Sequence, residues 1–450
     1  MTYDYDLLVL GAGSGGLAAA KRAASYGAKV AIVENDLVGG TCVVRGCVPK
    51  KLLVYASGFS HLYRDAVGYG WDAATPNFNW PTLTEIVDNE VNRLSQLHVS
   101  FLDKSEVELI RGKAAFIDPH AIEVGDRKFT AERILIATGS EAILPDLPGI
   151  EYALTSREIF KLPTQPKRIA IIGGGYIGIE FAGIFNGLGT EVIQIVRGNN
   201  ILRGFDEDIR SHVRDAAIER GITILTETQV ERLEKTEAGT TLFLKGENAP
   251  VSVTVDAAVL FAIGRTPNTA DLQLEHAGVE TNLGAVVVNE WSQTHQPHIY
   301  AVGDVTDRVN LTPVAIDEGR AFADTVFGNA PRQVNYANIP TAVFSQPEAA
   351  TVGLSEAEAK AKVGEDNVKV YRSTFRPLFH SLTGSNEKTL MKLVVDRASD
   401  RVLGAHMVGK DAAEIIQSVA ISINMGATKQ DFDKTMALHP STAEEFVTMQ

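Results

Sequence analysis

Two glycine-rich turns, each set between a short apolar strand and a helix, constrain the fold of this chain more than any other feature. The first follows the apolar run at 5–10 and reads Gly11-Ala12-Gly13-Ser14-Gly15-Gly16. Glycines at this spacing let the backbone turn tightly and approach a pyrophosphate at the N-terminus of the next helix. That helix is predicted over Leu17 to Tyr26, and the second strand, Lys29 to Val33, leads to Glu34. Because Glu34 stands where a carboxylate binds ribose hydroxyls, the sequence predicts a dinucleotide-binding fold.

The same pattern recurs in the middle of the chain. A strand is predicted over Arg168 to Ile172, followed by Gly173-Gly174-Gly175-Tyr176-Ile177-Gly178, a helix, and a strand over Glu191 to Val196. Arg197 comes next instead of an acid, and Arg203 lies six residues further. Arginines in place of the ribose-binding carboxylate accept a 2′-phosphate, so the second nucleotide is predicted to be NADP. The alternative is that both arginines only solvate a loop. In addition, Gly178 is the third small residue of the turn, where many NADP sites have alanine.

The order of the apolar strands indicates that the second dinucleotide-binding domain is inserted in the first. Ile134 to Ser140 and Val259 to Asn268 are apolar strands that end in a turn, and the chain returns at Ile299 to Asp304. From about Asn338 the glycine motifs stop, and strands and helices alternate as in an α+β domain. The fold class is therefore α/β, with two Rossmann-like dinucleotide-binding domains and a C-terminal α+β domain. The predicted segments are 1–140 and 263–337 for the first domain, 141–262 for the second and 338–450 for the third.

The chain holds two cysteines, Cys42 and Cys47, five positions apart. A structural zinc site needs about four ligands, and no second cysteine pair is present to supply them. In a regular helix the two α-carbons would stand about 8 Å apart, beyond the roughly 7 Å limit of a disulfide. Gly46 permits the backbone distortion that closes this gap, and Pro49 suits the first turn of a following helix. The flanking glycines and lysines favour a redox-active pair with an easily reduced disulfide; two ordinary buried thiols are the alternative.

Length and composition restrict the function classes. A chain of 450 residues with 45% hydrophobic and 22% charged residues is typical of a globular protein of two to four domains. The net charge of −14 argues against nucleic acid or an anionic membrane as a partner, and an anionic substrate would need a local basic patch. The N-terminus lacks the basic and apolar regions of a signal peptide, and no run approaches about 18 apolar residues. We therefore expect a cytoplasmic protein without a metal site.

On these motifs the chain resembles the pyridine nucleotide–disulfide oxidoreductase family, and most closely its members that reduce glutathione disulfide. The resemblance spans essentially the whole chain and rests on Gly39 to Lys51, Gly264 to Asn268, Ala301 to Asp304, and His439 to Glu445. It implies an FAD domain, an inserted NADPH domain and a C-terminal dimerisation domain. The implied protein is a homodimer in which the partner's C-terminal segment completes each active site. The implied activity is NADPH-dependent reduction of glutathione disulfide, which maintains thiol redox balance.

The resemblance also implies roles for the catalytic residues. Electrons would pass through the flavin into the disulfide at Cys47, and Cys42 would be the interchange thiol that attacks the substrate. Thiol chemistry needs an acid–base group, and His439 of the partner subunit fills that role, oriented by Glu444. The remaining members of this set are Lys50 near the flavin nitrogen, Glu180 paired with it, and Tyr176 over the nicotinamide pocket.

Cofactor contacts follow from the same motifs. The expected FAD contacts are Gly11, Gly13, Ser14, Gly15, Gly16, Glu34, Thr41, Cys42, Lys50, Ala114, Gly139, Asp304 and Thr312. The expected NADPH contacts are Gly173, Gly175, Ile177, Gly178, Glu180, Arg197, Arg203, Gly264, Arg265 and Val343.

The expected substrate contacts are Ser14, Lys21, His98 and Arg320. Lys21 and Arg320 match cations with which the family holds the carboxylates of glutathione. Ala18, one helical turn before Lys21, leaves that wall small rather than acidic, which disfavours a polyamine-linked disulfide. His98 stands where the family usually has a channel tyrosine, and this departure is expected to make binding sensitive to pH.

Two other functions fit parts of the pattern. An NAD-dependent dihydrolipoamide dehydrogenase shares the dithiol, the flavin and the histidine–glutamate pair, but it should carry an acid where this chain has Val196 and Arg197. Mercuric and large thioredoxin reductases need extra C-terminal cysteines or selenocysteine, which are missing from this sequence. From another class, a flavin-binding sensor subunit would bind nucleotides without turnover, and NADPH consumption separates it from an enzyme.

Overall fold

The structure is a computed structural model that describes residues 3–74, 76–256 and 258–450. The chain forms two compact units, each assembled from three segments. The first unit consists of Met1–Lys50, Pro81–Ile143 and Gly264–Asn335, and the second of Lys51–Trp80, Leu144–Ile263 and Tyr336–Gln450. This partition differs from the segments predicted above, whose boundaries stay a prediction.

The N-terminal part of the chain forms most of the first sheet. Its strands and helices are β1 (Tyr5–Leu10), α1 (Ser14–Ser25), β2 (Val30–Glu34), α2 (Gly40–Arg45), α3 (Cys47–Ala66), α4 (Trp80–Lys104), β3 (Glu108–Arg111), β4 (Ala114–Asp118), β5 (Ala121–Val124), β6 (Arg127–Ile136) and β7 (Ser140–Ala142). Strands β3, β2, β1 and β6 pair in parallel in that order, and β5 and β4 continue antiparallel. Leu8 and Leu10 face one buried cluster, whereas Leu7 and Val9 face another. A strand buried on both faces reads as a continuous apolar run, which is why the sequence located β1.

The middle of the chain forms the second dinucleotide-binding domain. Its elements are β8 (Arg168–Ile172), α5 (Tyr176–Gly187), β9 (Glu191–Ile195), α6 (Glu207–Glu219), β10 (Thr223–Leu225), β11 (Gln229–Thr236), β12 (Gly239–Lys245), β13 (Ser252–Val255) and β14 (Ala258–Phe261). Strands β10, β9, β8 and β14 form a parallel sheet, and β11, β12 and β13 form a separate antiparallel sheet. Ile172 and Ile193 of the parallel sheet pack in one cluster with Leu233 and Leu242 of the antiparallel sheet.

The next segment returns the chain to the first sheet. Its elements are β15 (Arg265–Pro267), β16 (Thr281–Asn282), β17 (Ala285–Val286), β18 (Ile299–Ala301) and α7 (Thr312–Val326). Strand β18 pairs in parallel with β6, and β15 pairs with β7, so the first fold is completed only after the second. This topology confirms that the second domain is inserted in the first. Helix α7 lies so close to α1 that a Cβ on Gly319 would stand 2.3 Å from the carbonyl oxygen of Gly15.

The C-terminal segment is an α+β domain, as predicted. Its elements are β19 (Thr341–Val343), β20 (Ala349–Gly353), α8 (Glu356–Val363), β21 (Val368–Phe375), β22 (Thr389–Asp396), β23 (Val402–Val408), α9 (Ala412–Asn424), α10 (Lys429–Lys434) and α11 (Glu445–Thr448). The strands pair antiparallel in the order β19, β20, β23, β22 and β21. One face of this sheet, with Met391 and Met407, packs on Ile416 of α9 and Phe432 of α10. Within the described ranges, no helix combines the length and apolar character needed to cross a bilayer.

Candidate active site

The two cysteines lie on consecutive helices, between which the backbone departs from the helical conformation. Cys42 is in α2 and Cys47 is the first residue of α3, with Gly46 between them at φ −141° and ψ −116°. A side chain at Gly46 would not fit, because its Cβ would stand 2.7 Å from the carbonyl oxygen of Thr41. Pro49 lies in the first turn of α3, where a missing N–H costs little. The predicted distortion at Gly46 is therefore present.

The two thiols differ in their surroundings. A hydrogen bond with Cys47 raises the pKa of the Cys42 thiol, and burial of Cys42 raises it further. Cys47 is exposed, and its Sγ lies 3.7 Å from the Oγ1 of Thr312, the first residue of α7. Cys42 therefore stays protonated at neutral pH and needs a base before it can act as a nucleophile.

A cavity of about 740 Å³ in the first unit brings the predicted substrate residues together. Of the two cysteines, Cys42 lines this cavity. The walls come mainly from α1, α2, α4 and α7, and they include all four predicted substrate contacts: Ser14, Lys21, His98 and Arg320. Ala18 is also in the wall, as the sequence indicated. The cavity thus joins a thiol to a set of cations, which is the local basic patch that an acidic protein needs for an anionic substrate.

Two titratable groups in the cavity have lowered pKa values, which favour their neutral forms. Burial, reinforced by the charge of Arg320, lowers the pKa of Lys21. Burial, reinforced by Lys21, lowers the pKa of His98. The Nδ1 atom of His98 is buried and has no hydrogen-bond partner among the described residues. The ring stands edge-on to Phe101 at 6.2 Å. His98 is therefore a neutral imidazole at physiological pH.

Sequence reasoning missed a charged group in the wall of the cavity. The Nε of Arg22 donates to Asp324 Oδ1 at 2.6 Å, and the Tyr26 hydroxyl donates to the same oxygen at 2.8 Å. Arg332 contacts Asp324 at 3.3 Å and pairs with Asp317 at 2.8 Å. The spacing of Asp317, Arg320 and Asp324 at i, i+3 and i+7 places them on one helix face, and this signal was available in the sequence.

The first glycine turn forms a cradle for a dinucleotide. Gly11 has φ +105°, and a Cβ there would stand 2.5 Å from the carbonyl oxygen of Ala137. The N-cap of α1 is Gly13, which provides no side-chain cap, so the N–H groups of the first turn are left for an anion. The Glu34 carboxylate accepts the N–H groups of Ala12 and Asp36, both at 2.8 Å. These residues fit the pyrophosphate and ribose of FAD, while helix α1 begins at Ser14, three residues before the predicted start.

Asp304 lies in a hydrogen-bonded group with Ser140 and Arg265 in the first unit. Ser140 Oγ donates to Asp304 Oδ2 at 2.6 Å, and Arg265 Nε donates to Ser140 Oγ at 2.8 Å. The carbonyl of Gly139 accepts the N–H of Asn268 at 2.9 Å, which fixes the turn before β7. Thr41 is exposed beside Cys42, and Ala114 is buried at the start of β4.

The second glycine turn has the same construction. Gly173 has φ +128°, and a Cβ there would stand 2.2 Å from the carbonyl oxygen of Ala262. Gln194 Nε2 donates to the Gly173 carbonyl at 2.8 Å, and the N-cap of α5, Gly175, provides no side-chain cap. Arg197 and Arg203 are exposed beyond the end of β9, where no hydrogen bond or ion pair joins them to the described residues. An open helix N-terminus beside two exposed guanidinium groups fits a dinucleotide with a 2′-phosphate.

The other residues predicted near NADPH and the flavin differ in how exposed they are. Tyr176, the first residue of α5, is 43% exposed, Ile177 is partly exposed, and Gly178 is buried against Gly173. Glu180 is buried, and its Oε1 accepts the N–H of Phe344 at 3.0 Å. Lys50 is buried in the first turn of α3, and its pairing with Glu180 stays a prediction. Gly264 has φ +145°, and Val343 is fully buried, so its contact with NADPH stays a prediction.

His439 and Glu444 are brought together in the second unit. The Nδ1 of His439 lies 3.1 and 3.2 Å from the two carboxylate oxygens of Glu444. Ser441 Oγ accepts the N–H of Glu444 at 3.2 Å and holds its backbone. The imidazole is 79% exposed, so its Nε2 points to solvent with the ring orientation fixed at Nδ1. In the part of the chain that the structure describes, no group of three or more potential ligand residues could hold a metal ion.

Comparisons with known proteins agree with this geometry. Residues 5–319 match the profile described as pyridine nucleotide-disulphide oxidoreductase, and residues 339–450 match its dimerisation domain. The chain is 60% identical, over all of both sequences, to glutathione reductase of Nostoc sp. (strain PCC 7120 / SAG 25.82 / UTEX 2576). It is 50% identical, over all of this chain and 99% of the relative, to glutathione reductase of Burkholderia cepacia. It is 44% identical to the chloroplastic/mitochondrial glutathione reductase of Pisum sativum, over all of this chain and 82% of the relative.

Proposed function

Because the chain belongs to the pyridine nucleotide-disulphide oxidoreductase family, we propose that it is an FAD-dependent reductase that converts glutathione disulfide and NADPH into two glutathione molecules and NADP⁺. It is a homodimer with the family's dimerisation domain at its C-terminus. The observation that carries the proposal is the cavity that joins the Cys42 thiol to Lys21 and Arg320. Glutathione disulfide is an anionic disulfide, and this cavity offers both a nucleophile and countercharge.

Two cofactors fit the glycine cradles described above. FAD would lie between the N-terminus of α1, Glu34 and Asp304, and NADPH would lie on α5 with its 2′-phosphate at Arg197 and Arg203. Bound there, they would supply the hydride and electron transfer that reduces the Cys42–Cys47 disulfide. Cys47, which lies near Thr312 and is exposed, is the sulfur that we place on the flavin side.

The reduced dithiol then acts in two exchange steps. The Cys42 thiolate attacks one sulfur of glutathione disulfide, forms a mixed disulfide and expels the first glutathione as a thiolate. The Cys47 thiolate attacks the Cys42 sulfur, restores the Cys42–Cys47 disulfide and expels the second glutathione. Each leaving thiolate takes up a proton, so the two steps produce two glutathione thiols.

An acid–base group must serve these steps, because the raised pKa of Cys42 keeps its thiol protonated. We assign this role to His439 of the partner subunit, whose Nε2 accepts the Cys42 proton and returns a proton to the leaving thiolate. The exposed imidazole and its bond to Glu444 support the assignment, since a base at a subunit surface must be both accessible and oriented. His98, in the wall of the cavity, is the alternative base, and the hybrid-dimer experiment below distinguishes between the two histidines.

Substrate binding is assigned to the cavity wall. Lys21 and Arg320 would bind carboxylates of glutathione disulfide, Ser14 would contribute a hydroxyl, and His98 a neutral ring nitrogen. The proposal places the enzyme in the cytoplasm, where the glutathione pool needs continuous reduction.

Steady-state oxidation of NADPH and NADH by the purified holoenzyme tests the function. Each nucleotide is combined with glutathione disulfide or lipoamide, and the same set is repeated with Arg197→Met. We expect rapid NADPH oxidation with glutathione disulfide and a KM for NADPH at least about tenfold higher in the variant. Turnover of lipoamide with NADH, and no preference for NADPH, would overturn the proposal.

A further inference from the structure

The segment that carries the two arginines is seated on the dimerisation domain. This arginine loop, residues 197–205, runs from the end of β9 to α6, with Arg197 and Arg203 exposed. Ile201 and Leu202 lie between them and are buried. These two side chains share one cluster with residues of the dimerisation domain: Val343, Ala349, Leu390 and Val408.

The backbone at Leu202 is in a conformation that needs support. Leu202 has φ +50°, in the left-handed region that branched and bulky side chains rarely adopt. Its side chain is 1% exposed, and its N–H donates to the Gly174 carbonyl at 2.6 Å. Such a conformation persists only where the surrounding structure determines it. Arg203 is the next residue, so its direction depends on the packing of Leu202.

A buried ammonium group fixes the residue that follows the arginine loop. Asp206 is the N-cap of α6 and accepts the N–H of Asp208 at 3.1 Å. Lys392 Nζ, on β22 of the dimerisation domain, donates to the two Asp206 oxygens at 2.8 and 2.9 Å. It also donates to Asp208 at 2.6 Å and to Glu356 at 2.8 Å. One lysine thus holds three carboxylates, two of which begin α6.

Both members of the central pair are charged although they are buried. Burial opposes ionisation of Asp206, but the N–H of Glu356 and the ammonium of Lys392 lower the pKa of Asp206 below its ordinary value. Burial likewise opposes the charge of Lys392, but its carboxylate partners raise the pKa of Lys392. Removing one member of such a pair leaves an uncompensated buried charge, so the Asp206 end of the loop would have to move toward solvent.

We infer that Lys392 is a positioning residue for recognition of the nucleotide 2′-phosphate, although it belongs to the dimerisation domain. It holds Asp206, and with the Leu202 packing it fixes both ends of the segment that presents Arg203. The inference rests on the proposed function, in which Arg197 and Arg203 bind the 2′-phosphate.

The test is the ratio of kcat/KM for NADPH to kcat/KM for NADH, measured on the holoenzyme with saturating glutathione disulfide. For Lys392→Met we expect this ratio to fall at least about tenfold, because NADPH loses its phosphate contacts. NADH, which lacks the phosphate, should keep its kcat/KM within about twofold, as should the KM for glutathione disulfide. Asp206→Asn keeps only one acceptor oxygen for the N–H groups of Asp208 and Glu356 and replaces the ion pair with a neutral amide, so it should lower the ratio in the same direction.

Lys429→Met is the matched control. Lys429 is also a buried lysine of the dimerisation domain, but it pairs with Asp433 and donates to the Met449 carbonyl at 2.9 Å. Its removal should leave the nucleotide ratio unchanged.

The possible results separate this inference from the proposed function. An unchanged ratio in Lys392→Met and Asp206→Asn, with a collapsed ratio in Arg197→Met, would overturn the role of Lys392 alone. A wild-type enzyme that does not prefer NADPH would overturn both. If Lys392→Met does not fold, the Asp206→Asn ratio decides the question.

Discussion

A single imidazole, His98, determines part of what the cavity offers to a substrate. Its Nδ1 is buried without a partner, and a buried N–H without an acceptor costs about 1–3 kcal/mol. We expect the tautomer that carries its proton on Nε2 and leaves no N–H at the buried Nδ1, which makes His98 a hydrogen-bond donor. Because burial and Lys21 lower the pKa of His98, this donor is neutral at neutral pH.

Substitutions at His98 that mimic one ring nitrogen at a time test this tautomer. His98→Gln keeps an N–H donor near the position of Nε2, so we expect a KM for glutathione disulfide within about threefold of wild type. His98→Asn places its amide near Nδ1, and His98→Phe has no donor, so both should raise that KM about tenfold, or about 1.4 kcal/mol. The KM for NADPH serves as the internal control. An asparagine variant that binds as well as the glutamine variant would contradict the assignment.

The different positions of the two cysteines predict different trapped species. Cys42 lines the cavity, so a reduced Cys47→Ser variant should attack glutathione disulfide and stop at a mixed disulfide, with one glutathione per chain. A reduced Cys42→Ser variant should form little of this adduct. Mass spectrometry under non-reducing conditions measures both, and dithiothreitol should release the adduct. Preferential trapping by Cys42→Ser would reverse the assigned roles.

Like His98, the imidazole of His61 on helix α3 has a lowered pKa. The Nε2 of His61 donates to Gln346 Oε1 at 2.8 Å, and Arg64 contacts its Nδ1. Burial, followed by the charge of Arg220, lowers the pKa of His61 from 6.5 to about 4. The neutral ring is therefore the form that fits the folded helix.

This shift predicts loss of stability in acid. Because the folded pKa lies below the unfolded value, the stabilisation is complete above pH 6.5 and is lost as the pH falls toward about 4. The loss would reach at most about 3 kcal/mol, less the effect of solvent screening on this partly exposed ring. Urea unfolding of His61→Gln between these pH values should show a shallower decline than wild type. His212→Gln, at a partly exposed histidine bonded to the Lys388 carbonyl, should behave as wild type.

The sequence predicted those elements whose signal is local. Strands β1, β8 and β18 were located because a continuous apolar run ends at a glycine turn or an acid. Helix α1 begins earlier than predicted, because Gly15 and Gly16 lie in its first turn, where the weak helix propensity of glycine costs little. The distortion of the backbone at Gly46 was also predicted from the sequence.

Contacts between distant segments could not be predicted in this way. Lys392 and Asp206 lie 186 positions apart, and Arg22 and Asp324 lie 302 positions apart. Each of these residues reads as an ordinary charged residue in its own segment. Only the fold, which brings distant strands and helices together, turns them into pairs. Lys21, His98 and Arg320 were named from a family motif, and their contacts with substrate stay a prediction. The spacing of Asp324 with Asp317 and Arg320 was visible in the sequence, whereas its contacts with Arg22 and Arg332 were not.

At the scale of the whole molecule, charge is distributed unevenly. The chain has a net charge of −14, yet the cavity wall holds four cationic side chains and only two carboxylates. The cations are Lys21, Arg22, Arg320 and Arg332, and the carboxylates are Asp317 and Asp324. A cationic cavity on an acidic protein selects anionic disulfides over neutral ones, since the surrounding field would otherwise repel an anion. Lipoamide lacks such carboxylates, which is why it is the competing substrate in the functional test.

The subunit origin of His439 gives the last prediction, because it determines how many sites a hybrid dimer retains. In a dimer of one Cys42→Ala chain and one His439→Ala chain, sites completed by the partner would include one intact pair of Cys42 and His439. We expect about half the wild-type kcat per dimer, since two equivalent sites are present in a twofold dimer. If His439 acted within its own chain, both sites would lack one group, and turnover would stay at background. The reciprocal control pairs a wild-type chain with a Cys42→Ala/His439→Ala chain: it should be inactive when the partner completes the site and half-active when it does not. Coexpression with two affinity tags isolates each hybrid, and the pair of kcat values decides between the arrangements.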